Sequence, residues 1–259
     1  MKDQLPAMLS SRLSGDVFDW LEENIRHLHE PFRLARVFTQ MPRKTGKAIL
    51  NAGQEAGVYA SWSNDRLARV YLLASYTHTD QEVYYKTIEQ LFTAADVNEL
   101  VALYSALPVL SWPHLWTKRC AEGVRSNIGD VLEAIMYQNP FPAAHLEEKA
   151  WNQMILKAFF TDKRTDLIIG LTERNNQELA LILSDYVHER QAAARTVNPV
   201  IWLLIGQQAE KAFMSDFQQV LAGNDAEARN ALNKGITLSD YEPAKQLTFA
   251  DSKNDIQPL

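Results

Sequence analysis

The run Asp185-Tyr186-Val187-His188-Glu189-Arg190 brings two carboxylates, an imidazole and a guanidinium within two turns of one helix. At about 100° per residue, Leu179, Ile182, Leu183, Tyr186 and Val187 form one apolar stripe. Arg190 falls near the middle of that stripe, Asp185 and Glu189 lie along one edge, and His188 projects roughly opposite. Carboxylates four residues apart repel by a few tenths of a kcal/mol, on the order of one surface pair, unless a cation sits between them. Three uses suit such a set. The acids can pair with arginines of neighbouring helices as a structural network. Acids and arginines together can line a pocket for a polar small molecule. Asp185, His188 and Glu189 can hold a metal, although the wheel turns His188 away from the acids and the two-histidine zinc spacing is absent.

Two further polar runs sit inside helical patterns. In Glu122-Gly123-Val124-Arg125-Ser126-Asn127, Glu122 and Arg125 are spaced to pair, and Asn127 is placed to cap the helix that carries Glu133. Gly123 costs a helix about 1 kcal/mol, which a close helix approach would explain. In Trp151-Asn152-Gln153, the tryptophan is on an apolar stripe, while Asn152 and Lys157 are off it. A buried Asn152 would need partners for its amide, and so can fix a ligand.

Nucleotide and nucleophile chemistry find little support. Pro42-Arg43-Lys44-Thr45-Gly46-Lys47 lacks the first glycine of a phosphate loop and has Ala48 where the magnesium-binding hydroxyl belongs. Arg66 and Arg69 read as a solvated face or an anion site. The lone Cys120 reads as a buried small hydrophobe, and it forbids an internal disulfide or a cysteine-rich zinc site.

The elements that must position these residues are helices. Period-3.6 stripes run nearly throughout, opened by Asp16, Asn64 or Asp65, Asp80, Asp96, Asn127 and Asn198 as caps, with further helices near 176–195, 212–221 and 225–234. Asn139-Pro140-Phe141-Pro142 reads as a break. No alternation is strong enough for a sheet, although Ile168-Ile169 is strand-like. Gly and Pro together make only 20 of 259 residues, sparse for a sandwich or barrel. The expected fold is all-α, an irregular α-solenoid or HEAT-like stack of antiparallel helix pairs. It should form one domain over 1–240, with a polar, loosely ordered tail over 241–259.

With 26 basic and 32 acidic residues the net charge is −6, which disfavours nucleic acid as a partner. No apolar run is long enough for a membrane span, and the first residues lack the apolar stretch of a secretory signal, so direct membrane insertion is not expected and the cytoplasm is the expected compartment.

Taken together, Val101–Pro108, Glu122–Asn127, Val131–Ala134, Asn139-Pro140, Trp151–Met154 with Lys157–Phe159, and Asp185–Arg190 with Arg195 resemble the EboA family over about residues 38 to 206. That resemblance implies a cytoplasmic helical accessory protein of a bacterial gene cluster, with no catalytic residues and no cofactor to carry over. The cluster is associated with moving a metabolite or its precursor toward the cell envelope. Its implied partners are the other Ebo cluster proteins, a prenyltransferase-like membrane protein among them, and a small metabolite. On this reading Glu122, Arg125, Asn127, Trp151, Asn152, Lys157, Asp185, His188, Glu189 and Arg190 would form one concave ligand-binding surface. The alternative is a helical, metal-dependent enzyme acting on a small polar or aromatic metabolite, with Glu122, Glu133, Asp185, His188 and Glu189 as ligands.

Overall fold

The computed structural model describes residues 2–30, 32–49, 59 and 61–247. Among these the protein is all-α, with packed pairs of helices and no strand. Ile168 makes only an isolated antiparallel bridge to Tyr137. The chain divides into two compact units, Met1–Glu147 with Leu167–Ile169, and Glu148–Asp166 with Gly170–Leu259.

The first unit contains α1 (Leu5–Arg12), α2 (Gly15–Arg26), α3 (Arg33–Thr45), α4 (Asn64–Ser75) and α5 (Gln81–Ala94). It continues with α6 (Val97–Ser105), α7 (Thr117–Val124), α8 (Gly129–Met136) and α9 (Pro140–His145). Its centre is α4, which packs against α1, α2, α3 and α6 and is buried on nearly every side. A helix surrounded in this way must satisfy its own polar residues internally. Ser63, rather than Asn64 or Asp65, caps it, accepting from the Arg66 amide. Asp80 caps α5 as its spacing predicts, and Asp96 caps α6 in a reciprocal box with Glu99. The chain breaks between α8 and α9, and Asn139 at that break caps α9. Its Oδ1 accepts from the Phe141 amide at 3.0 Å, and its Nδ2 donates to the carbonyls of Tyr104 and Ala134. The close approach at Gly123 is present: a Cβ there would sit 2.5 Å from the Tyr104 ring and 2.6 Å from Ile135.

The second unit contains α10 (Glu148–Phe160), α11 (Gln177–Ala192), α12 (Val200–Gln207), α13 (Met214–Ala222) and α14 (Ala226–Leu238). Asn176 and Asp225 cap α11 and α14. The tightest pairing is α12 with α14, made possible by Gly206 and Gly235. A Cβ at Gly235 would collide with the Leu203 carbonyl and lie 2.9 Å from the Gln207 amide nitrogen. Residues 242–247 are helical, with Ala244 buried, while 248–259 of the expected tail lie outside the described residues.

Candidate functional site

The chemistry of the first unit concentrates on a buried triad. Asp65 and Arg69 are one turn apart on α4, and Glu99 comes from the first turn of α6. Arg69 donates from Nη1 to Asp65 at 3.0 Å and from Nη2 to Glu99 at 3.2 Å. Its Nε donates to the Phe38 carbonyl at 3.0 Å, and its guanidinium lies over the Phe38 ring. That carbonyl needs an outside donor for a local reason. Pro42, four residues on, has no N–H to give it, and α3 nevertheless continues through Pro42 to Thr45. Arg69 is 1% exposed, which overturns its reading as a solvated residue or anion site. Arg66, one turn earlier, is half-buried as well. It stacks over Trp62 and donates to Ser105 Oγ at 2.9 Å, and burial pulls its guanidinium down to about 10.

Above the triad lies a groove of about 610 Å³. One wall is α3, with Leu34, Ala35 and Phe38, and the other is α5, with Val83, Thr87 and Leu91. The α2–α3 turn adds Leu28, His29 and Glu30 to the lining, and the segment before α5 adds Tyr76 and His78. Glu99, 8% exposed, is the member of the triad that faces this space. Phe32, in the left-handed region at φ 60°, is 88% exposed on the rim. An apolar groove of this size with a few fixed polar groups has the character of a small-molecule site.

The second unit has a smaller cleft of about 380 Å³ at the C-terminal end of α11. Trp202 and Val220 line it together with Gln191, Arg195, Asp216 and Asp225. Asp216 holds His188 Nε2 at 3.1 Å and Ser184 Oγ at 3.4 Å.

A family model described as metabolite traffic protein EboA matches residues 1–206. The chain belongs to the EboA family. No curated protein and no solved structure matches it. The family match reaches back past residue 38 to take in α1, α2 and every residue lining the groove. The cleft, by contrast, draws Asp216, Asp225 and Ala228 from beyond the matched region.

The runs that carry the EboA resemblance are distributed over both units. Glu122, Arg125 and Asn127 are in the first. Glu122 pairs with Arg119 at 3.1 Å, and Arg119 also grips Glu89 of α5, which raises the guanidinium pKa. Arg125 and Asn127 are exposed. Asn127 does not cap α8, because Ile128 occupies that position and its amide donates to Ser126 Oγ. Trp151, Asn152, Lys157, Asp185, His188, Glu189 and Arg190 are in the second unit. Asn152 is buried and makes a reciprocal amide pair with Asn176 at 3.1 and 2.9 Å. Trp151 is fully buried under the Arg174 guanidinium. Lys157 is half-buried, and desolvation lowers its pKa. Asp185, His188 and Glu189 are exposed, while Arg190 folds back to donate twice to the Thr196 carbonyl. Among the described residues no three of His, Cys, Asp and Glu gather at metal-holding distance.

Sequence reasoning missed the groove, because five segments far apart in the chain build it. The Asp65/Arg69 spacing and the Asp96/Glu99 box were the local signals that pointed toward its floor. No helix of the described residues is long and apolar enough to cross a membrane.

Proposed function

We propose that this EboA-family protein is a non-catalytic binding component in the traffic of a small metabolite, or its precursor, toward the cell envelope. It works in the cytoplasm alongside the other proteins of the Ebo cluster, the prenyltransferase-like membrane protein among them. The observation that carries this reading is the groove between α3 and α5. Its volume of about 610 Å³ lies within the range of ligand sites, roughly 300–1,000 Å³. Its walls are largely apolar, its floor is a buried carboxylate fixed by two partners, and it belongs wholly to the region the family shares. Cys120, the residue with the most familiar nucleophilic chemistry, is fully buried, and its thiol is pushed up to about 12.

The test is to purify the full chain from cells expressing the whole cluster and to identify retained small molecules by mass spectrometry. Ala35→Trp, a substitution at an exposed position on the α3 wall, fills the groove without entering the core. The reading requires a molecule carried by the wild type and missing from A35W. Equal retention by both proteins places the ligand elsewhere, and an empty wild type removes the reading.

A further inference from the structure

We propose that the groove selects a ligand whose apolar body ends in a protonated amine or comparable cationic donor, with Glu99 as its counterion. This deepens the preceding section and rests on the groove being the ligand site.

Two carboxylates, Asp65 and Glu99, share one guanidinium, Arg69, in a setting with little access to water. Asp65 accepts from Arg69 on one oxygen and from the Ser63 hydroxyl on the other, and it does not line the groove. Glu99 does. Its Oε1 accepts from Arg69 and its Oε2 from the Asp96 amide. A carboxylate offers about four acceptor positions, so two remain, and Glu99 is the triad member that lines the groove. Arg66 is a second cation beside Asp65, so Glu99 is the carboxylate whose negative charge is presented to the ligand.

Nothing else lining the groove cancels that charge. Glu30 is held on the rim by Arg33, which is itself turned toward Glu30 and Asn24. His29 and His78 are exposed, and His78 Nδ1 accepts from the Asp80 amide. Among the described residues that line the groove there is no lysine or arginine. A carboxylate or phosphate entering it would meet Glu99 at the floor with no cation to receive it. An ammonium would instead gain a charge-assisted hydrogen bond in a water-poor site, the strongest type available there. Phe38, Leu91 and Tyr76 supply the apolar contact for the rest of the molecule.

The experiment uses the full-length protein at pH 7 and three probes of one chain length: octylamine, octanol and octanoate. Each displaces the neutral dye N-phenyl-1-naphthylamine, with A35W as the control that the displacement occurs in the groove. Octylamine should compete at least about tenfold more strongly than octanol, with octanoate weakest. Glu99→Gln should abolish the amine's advantage and leave octanol unchanged. Glu82→Gln, at an exposed α5 carboxylate that pairs with Lys86 and does not line the groove, should preserve the order. Equal competition by all three probes, or a preference for octanoate, overturns the charge inference and leaves the groove as a ligand site. Loss of the preference in E82Q but not E99Q also overturns it. Failure of all three to compete overturns the groove itself. If E99Q does not fold, the wild-type series still decides between these outcomes.

Discussion

Replacing Arg69 by methionine should be among the most damaging single substitutions in this protein. Methionine retains much of the stem's packing against Phe38 and removes the three donors. It leaves two carboxylates and the Phe38 carbonyl without partners where the Asp65 and Glu99 side chains are 4% and 11% exposed. Breaking a buried ion pair from one side costs about 3–5 kcal/mol. A neutral acceptor left dry adds about 1–3 kcal/mol. These contributions share one site and do not fully add, so the expected loss is about 4–6 kcal/mol. Against a total stability of about 5–15 kcal/mol this is a large fraction. It corresponds to a fall in Tm of about 10–20 °C for a unit of this size. Thermal unfolding followed by far-ultraviolet circular dichroism measures it directly. The triple variant D65N/R69M/E99Q, which removes both charges along with their partner, should regain at least half of the loss. The reasoning is refuted if R69M melts within about 3 °C of the wild type, a shift near 1 kcal/mol. It is equally refuted if the triple variant melts no higher than R69M.

Three other outcomes follow from particular contacts. Gly235→Ala should cost about 1–3 kcal/mol in a urea titration, because the added methyl meets the α12 backbone, which cannot rotate away as a side chain can. Asn139→Ala removes three hydrogen bonds at a buried position and should lower stability by about 2–4 kcal/mol in the same titration. Burial raises the Cys120 thiol from 9.0 to about 12 and the Tyr104 phenol from 10.0 to about 12. Both groups are raised in the folded state, so their contribution to stability is complete below their ordinary values and is lost as pH climbs toward 12. Melting temperature should therefore fall between about pH 9 and 12, and a thiol reagent at pH 8 should label Cys120 only after urea unfolding.

Local chemistry explains which parts of this fold can be read from the sequence. Asp80 and Asp96 are caps in the structure because each bonds an amide two or three residues away, a relation that spacing alone reveals. Asn176 and Asp225 bond amides in the same way, although the stripes located only the helices they open. The same logic misplaces Asn127, because Ser126 is one residue better positioned for the Ile128 amide. Glu122 has an arginine three residues away on either side. Only the position of Glu89 on another helix decides for Arg119 over Arg125. Arg69 looks like a surface charge until α1, α2, α3 and α6 close around α4. The stripe leaves Asn152 outside the core, and its burial depends on Asn176 at the far end of the connection to α11. The groove is harder again, since residues from 28 to 99 line it and no window of sequence contains them all.

The pairing of α12 with α14 has a consequence for how the molecule can be divided. The family likeness stops at residue 206, in the last turn of α12, but the packing does not. Leu232, Gly235 and Ile236 press directly on the α12 backbone around Leu203, Gly206 and Gln207. A polypeptide cut where the likeness ends would bare that surface to solvent and invite self-association. Shared ancestry and cooperative folding thus draw different borders on this chain, and any attempt to isolate its second unit must follow the latter, at least as far as Leu238.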